Sequence, residues 1–444
     1  MKNIKVGQSV LIPLFALILS SCGTPQLTSK AELQAPNITT RALDDSAANH
    51  TLRFLEARVQ RDPDDFIANN KLASEYQQRL RETGDINYLN LAARAAQASL
   101  ATLPAEQNNG GLVALTQVAY SSHDFAAARD HAQRLTELEP NKGYTFQFLG
   151  DALLELGQYE DAIAAFRQME KLGGLQGLTK VSMEQRLARL ALLYGDPQGA
   201  MHHFSEALKL TSTTSLLSET LAWCQWQLGE TAFAVGNYPL AEKYYQDSLL
   251  SFPDYFRSLA ALGRVRFARG DSAGAIALYE KVVQILPDPS FIATLGDLYQ
   301  LAGRAQDAEN QYALVEQIGN LAAESGTLYN RQLALFYADH GLKPEAAYRN
   351  ASKEYMTRRD IYGADAVAWT ALKAGKINAA QSAIKEALKL GTKDAKLFYH
   401  AGMIARAAGD SVEAQRWLKA ALTLNPAFDP LQAEFARKAL RALQ

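Results

Sequence analysis

The sequence predicts an all-α protein built as a solenoid of two-helix units. Three observations carry that prediction. Apolar residues fall at helical spacing on both sides of a glycine within 143–172, the arrangement recurs along the chain, and no strand-like alternation persists anywhere.

In the stretch 143–172, Phe146, Leu149, Gly150 and Leu153 lie three or four residues apart, as one face of a helix requires. Gly157 stands where that helix must stop, in a left-handed conformation that costs glycine nothing. Tyr159, Ala162, Ile163 and Phe166 repeat the spacing on a second helix. Gly150 and Ala162 are small and are expected to face one another, so that the two helices approach closely. One such pair leaves an apolar face uncovered and therefore needs neighbours of its own kind.

The chain supplies them. The alanine at the place of Ala162 recurs as Ala128, Ala200, Ala241, Ala275, Ala308, Ala346, Ala380 and Ala414, at intervals of 33 to 41 residues. The glycine recurs as Gly195, Gly236, Gly270, Gly303, Gly341, Gly375 and Gly409, five residues before its alanine, with His123 in the first unit. The small residue of the first helix recurs as Thr116, Ala188, Gly229, Gly263, Gly296, Ala334, Ala368 and Gly402. Some units close on a proline, at Pro140, Pro253, Pro287 and Pro426. This pattern resembles the tetratricopeptide repeat family over roughly residues 50 to 444. The resemblance implies a right-handed superhelical solenoid of helix–turn–helix repeats. It specifies function weakly, because such scaffolds serve many systems.

Residues 1–21 read as an export leader: Lys2 and Lys5, an apolar run from Val10 to Leu19, then Leu19-Ser20-Ser21-Cys22. That last tetrad resembles the lipobox of bacterial lipoproteins, which implies lipidation of Cys22 and a cell-envelope location. Gly23, where an aspartate would favour the inner membrane, leans towards the outer membrane facing the periplasm. Loss of the leader takes the formal charge from −2 to −4. Residues 22–45 read as a flexible tether. Residues 46–108 are expected to form an N-terminal capping helix and a degenerate repeat, residues 109–428 nine repeats, and residues 429–444 a C-terminal capping helix. In that last helix Leu431, Phe435, Ala439 and Leu443 should face the array, with Gln432 turned to water. Junctions near Gly173, Thr211 to Ser215 and Gly319 to Gly326 exceed the ordinary spacing by about one helical turn.

Nothing in the sequence marks a catalytic or cofactor site. The seven histidines show no metal-ligand clustering and read as surface residues, and no nucleophile elbow or phosphate loop occurs. Cys224 reads as a small buried side chain. Charged residues make 21% of the chain without a basic cluster, which argues against nucleic acid. Neither a catalytic residue, a cofactor nor a metal is expected.

Binding remains. In the family that the pattern resembles, the second, fifth, ninth and twelfth residues of each first helix face a concave groove. Carried over, this places Trp223, Trp226 and Phe233, then Arg257 and Arg264, and later Trp369, in a groove for a protein or peptide partner. The mixed ninth positions, Asp151, Glu230 and Arg264 among them, argue against a clamp for the acidic tails of chaperones. The expected function is a lipid-anchored envelope scaffold, an assembly factor for a secretion, pilus or export complex. The alternative is a polysaccharide- or solute-binding module, which needs Trp223, Trp226 and Trp369 exposed together.

Overall fold

The computed structural model describes residues 38–444 apart from 174–176, 213–217 and 326–329. The leader, Cys22 and most of the tether lie outside the described residues. Helix α1 (Ile38–Arg61) comes first, eight residues longer at its start than expected. Four pairs follow: α2 (Phe66–Thr83) with α3 (Ile86–Thr102), α4 (Asn109–Ser121) with α5 (Phe125–Leu138), α6 (Gly143–Glu155) with α7 (Tyr159–Gly173), and α8 (Gly177–Leu193) with α9 (Pro197–Ser212). Next come α10 (Ser218–Ala234) with α11 (Tyr238–Ser251), α12 (Phe256–Ala268) with α13 (Ser272–Ile285), and α14 (Pro289–Leu301) with α15 (Ala305–Ser325). The array ends with α16 (Asn330–Asp339) and α17 (Pro344–Thr357), α18 (Ile361–Lys373) and α19 (Ile377–Ala387), α20 (Ala395–Ala407) and α21 (Ser411–Leu424), then α22 (Gln432–Arg441) alone. Among the described residues there is no strand, and no described helix is long and apolar enough to cross a membrane.

Most hairpins turn on a single glycine, often followed by a capping residue. A glycine in the left-handed region ends the first helix, as at Gly157, Gly195, Gly236, Gly270 and Gly409. In several units the next residue, Asp196, Asn237, Asp271 or Asp410, turns its side chain to a free N–H of the following helix. Caps of this kind contribute about 1 kcal/mol each. The pair α16–α17 departs from the rule. Its turn holds one residue more, and Lys343 (φ 42°) also takes the left-handed region before Pro344 opens α17. The repeat alanine is therefore Ala347, fully buried, rather than Ala346.

The close approach within a pair differs in detail from expectation. A Cβ on Gly150 would strike the ring of Phe166, not Ala162, and Gly263 lies likewise under Tyr279, with 2.8 Å left for an added carbon. Gly229 and Gly296 receive Tyr245 and Tyr312 in the same way. In these four units the first-helix glycine makes room for a second-helix aromatic four residues beyond the alanine, and Gly402 does the same for Leu418. Where the first helix has Ala334, that position holds the small Ala351. Both α8 and α10 have 17 residues against 13 in α6 and α12, which is the extra turn that the spacing asked for.

The ends depart further. Helix α22 buries Gln432, Ala433, Ala436 and Ala439 against the array, while Phe435 is 45% exposed. The expected stripe is rotated, because three alanines let the helix lie closer than a phenylalanine would.

The array coils far enough to meet itself. The amide of Arg359 donates to Leu156 O (3.2 Å) and that of Ile361 to Tyr159 Oη (2.8 Å). Thr392 Oγ1 donates to Leu193 O. Asn425 Nδ2 donates to Phe233 O (2.8 Å), and its Oδ1 accepts from Tyr238 Oη (2.6 Å). Leu286 lies against Gly84. Partners are separated by 187 to 203 residues in these hydrogen bonds. Helix–helix turns of the first superhelical turn are thus docked on repeat–repeat turns of the second, along one seam.

Candidate functional site

The first helices of successive pairs, from α2 to α14, ring a cavity of about 1070 Å³, to which Gln332 and Arg358 add from the second superhelical turn. The residues that reach it follow from helix geometry. In α6 they are Gln147, Phe148, Asp151 and Glu155, spaced as one stripe of a helix. The twelfth position lies off that stripe, so Leu154 and Phe233 turn into the core, where they are 2% and 5% exposed. Position thirteen, not twelve, carries the groove residue in α6.

Of the groove residues expected from the sequence, Trp223, Trp226, Arg257 and Arg264 come together on this cavity. The two indoles are 6.5 Å apart and tilted. Arg257 is exposed, lies over the rings of Trp226 (5.4 Å) and Phe256 (5.0 Å), and makes no ion pair among the described residues. Arg264 is already engaged: it pairs with Glu230 of the preceding repeat and lies over the Phe233 ring (4.7 Å). Trp369 is elsewhere. It is 1% exposed, stacks on His400 (4.2 Å) and donates its indole N–H to Asp339 (2.7 Å), so it presents no face to a ligand.

Charged residues on the cavity wall pair between neighbouring repeats. Asp151 accepts from Arg186, and Glu155 accepts from Arg189 and, across the seam, from Arg358. Burial works to raise the Glu155 pKa, but the two guanidiniums outweigh it and hold the carboxyl below its ordinary value. Glu219, 4% exposed, is raised by burial; Arg81 approaches it at 3.8 Å and Tyr255 donates to it at 3.2 Å. Sequence reasoning passed over Arg186 because it is the sixth residue of its repeat, counted from Val181, and not one of the four inward positions. It could not have found Arg358, which arrives from about 200 residues away.

Among the described residues no three of His, Cys, Asp and Glu come together as a metal site requires. The histidines are not all on the surface. His400 is fully buried with Nδ1 against Asp365 (2.8 Å), and His340 is held by Asp297 (2.8 Å). Cys224 is buried, and burial pushes its thiol pKa up, away from reactivity.

A family model agrees with this architecture. Residues 113–174, 227–288 and 367–427 match the family model described as Tetratricopeptide repeat. The TPR repeat-containing protein YpiA of Bacillus subtilis is 25% identical over 317 residues, 70% of this chain; the match spans only 63% of that protein. Among solved structures, the chain is similar to PilW, a type IV pilus biogenesis factor, with 18% identity and TM-score 0.39 over 46% of this chain and 91% of that one. It is also similar to a tetratricopeptide repeat protein from Parabacteroides merdae, with 17% identity and TM-score 0.32 over 59% and 98%. Matching segments near the start, middle and end of the array, together with the helical pairs between them, make this chain a solenoid of tetratricopeptide repeats.

Proposed function

We propose that this protein is a scaffold that holds a protein partner inside its superhelix, tethered to the cell envelope by lipid on Cys22. One observation carries the binding half: an exposed arginine that makes no ion pair among the described residues shares the wall of a large cavity with two indoles. Trp, Tyr and Arg are the residue types that dominate binding energy at protein interfaces. The tether rests on the tetrad Leu19-Ser20-Ser21-Cys22, and the outer membrane facing the periplasm is the side that Gly23 favours. The finer role is that of an assembly factor for an envelope secretion, pilus or export complex. The polysaccharide-binding alternative loses its third aromatic, since Trp369 is buried.

Photo-crosslinking in cells tests the binding half. A crosslinking residue in place of Trp226 should trap a protein, whereas one in place of the exposed Val412 (78%) should not. Products from Val412 alone would place the binding surface on the other face. Cys22→Ser should abolish fatty-acid labelling and release the protein from membranes; equal label in wild type and variant would refute the anchor.

A further inference from the structure

The balance of charge and hydrogen bonding on the cavity wall identifies what it lacks. Six arginines and three carboxylates line it. The carboxylates are already used: Asp151 by Arg186, Glu155 by Arg189 and Arg358, and Asp288 by the amide and hydroxyl of Ser290. Arg264 is met by Glu230. Arg257 lies over aromatic rings, meets the Tyr255 hydroxyl and acts on Glu219 from beyond ion-pair distance, and Arg81 has Gln78 and a 3.8 Å approach to Glu219, so neither has a close carboxylate. Three lining residues have a buried polar atom without a hydrogen-bond partner: Gln77 Nε2, Arg186 Nε and Trp226 Nε1. All three atoms are donors, so the unmet demand of this wall is for acceptors and negative charge.

The apolar part of the wall narrows the choice. Trp223 and Trp226 are tilted at 55°, and Phe256 and Phe291 at 61°. Rings set this way form crevices for branched side chains rather than a flat platform for sugars or bases. The docked seam restricts the route. Among the described residues the helix ends of the wall are joined across 187 to 203 residues, which favours a way in along the superhelix axis.

We propose that the cavity binds an extended peptide segment in which carboxylates alternate with apolar side chains, entering by a free end, with one carboxylate on Arg257 beside Trp226. This rests on the protein-binding reading above and specifies it. A forked carboxylate–guanidinium pair is geometrically demanding and gains strength where water is partly excluded.

Tryptophan fluorescence of the full chain, titrated with a short peptide alternating glutamate and leucine, tests it. Saturable binding should weaken about tenfold or more in Arg257→Gln, with the electrostatic part falling as salt rises. It should be unchanged in Arg416→Gln, a distant exposed arginine. The same peptide with glutamine for glutamate should bind at least tenfold more weakly. Equal binding of the two peptides, or no effect of Arg257→Gln, overturns the carboxylate assignment. An oligouronate that binds through Arg257 where the peptide does not would assign the site to acidic sugars instead. The acidic segment placed between two folded domains should fail to bind, and equal binding would overturn entry by a free end. If the peptide does not bind at all while Trp226 still crosslinks a protein in cells, the acidic specification falls and the scaffold reading stands.

Discussion

At residue 123 an imidazole occupies a backbone conformation that the other clear repeats give to glycine, with φ 56°. The left-handed region costs an L-residue about 1–2 kcal/mol. His123 offsets part of this by stacking on Phe125, ring centroids 5.5 Å apart and 16° from parallel. A β-branched residue there would suffer the strain without the stacking. His123→Val should therefore cost about 2 kcal/mol, whereas in His123→Gly relief of strain and loss of stacking nearly cancel, to within about 1 kcal/mol. Urea denaturation of the two variants checks this, and equal loss in both would show that the ring contact, not the backbone, matters. At this scale the sequence was legible wherever one residue type answers one physical demand. Glycine at positive φ and alanine at zero exposure are such cases, and Ala128, Ala162, Ala200 and Ala275 are all fully buried. The rotations of side chains were less legible. Trp369 has the composition of a hot spot, yet a ring of that size is buried when a neighbour offers both a stacking face and an acceptor, as His400 and Asp339 do.

Among the elements, α16 shows how a helix end is tied to its neighbours. His340, just past its C-terminus, contacts Phe336 O and Asp297 of α14 (both 2.8 Å), and its ring packs on Tyr312 (4.5 Å). Burial alone would lower the His340 pKa, but Asp297, Phe336 O and Asp339 together raise it. A histidine raised on folding contributes stability that is fully present below its unfolded value, about 6.5, and is lost as pH rises through the folded value. Burial raises Asp297 too, which also disfavours the fold as pH rises. The two effects have one sign. His340→Gln should cost about 1.5–3 kcal/mol near pH 6, the range for a hydrogen bond to a charged group, and distinctly less near pH 8.5. Thermal melts at both pH values test this; a constant difference would mean that His340 acts through packing alone. The elements themselves were legible because each pair repeats the same apolar period. The misreadings share a cause. The slip to Ala347, the turn of α22 and the inward thirteenth position are each errors of one residue or about 100° of rotation, which hydrophobic spacing alone resolves poorly.

For the whole molecule, the seam changes what a solenoid is expected to do. In a simple repeat array each unit touches only its neighbours, so damage spreads along the chain from the site of a mutation. Here Asn425 bridges Phe233 O and Tyr238 Oη, and Arg358 reaches Glu155, so distant repeats share hydrogen bonds. No sequence pattern announces pairs so far apart, because they depend on the accumulated coiling of about six repeats. Two glycines separate the seam from ordinary turn chemistry. Both Gly157 (φ 77°) and Gly270 (φ 85°) are left-handed, so an alanine at either meets the same backbone strain of about 1–2 kcal/mol. An added Cβ at Gly270 meets nothing within 4 Å, but at Gly157 it collides with the backbone at Arg359 and Asp360. Gly157→Ala should therefore cost about 1–3 kcal/mol more than Gly270→Ala, the usual range for overpacking. Its effect should also appear in two places. Hydrogen exchange should quicken at residues 156–161 and, about 200 residues away, at 359–364, while α9, nearer in sequence, keeps its protection. Gly270→Ala should quicken exchange only around its own turn. If Gly157→Ala leaves 359–364 as protected as in the wild type, the two superhelical turns are not coupled, and the interior cavity has an opening along its side.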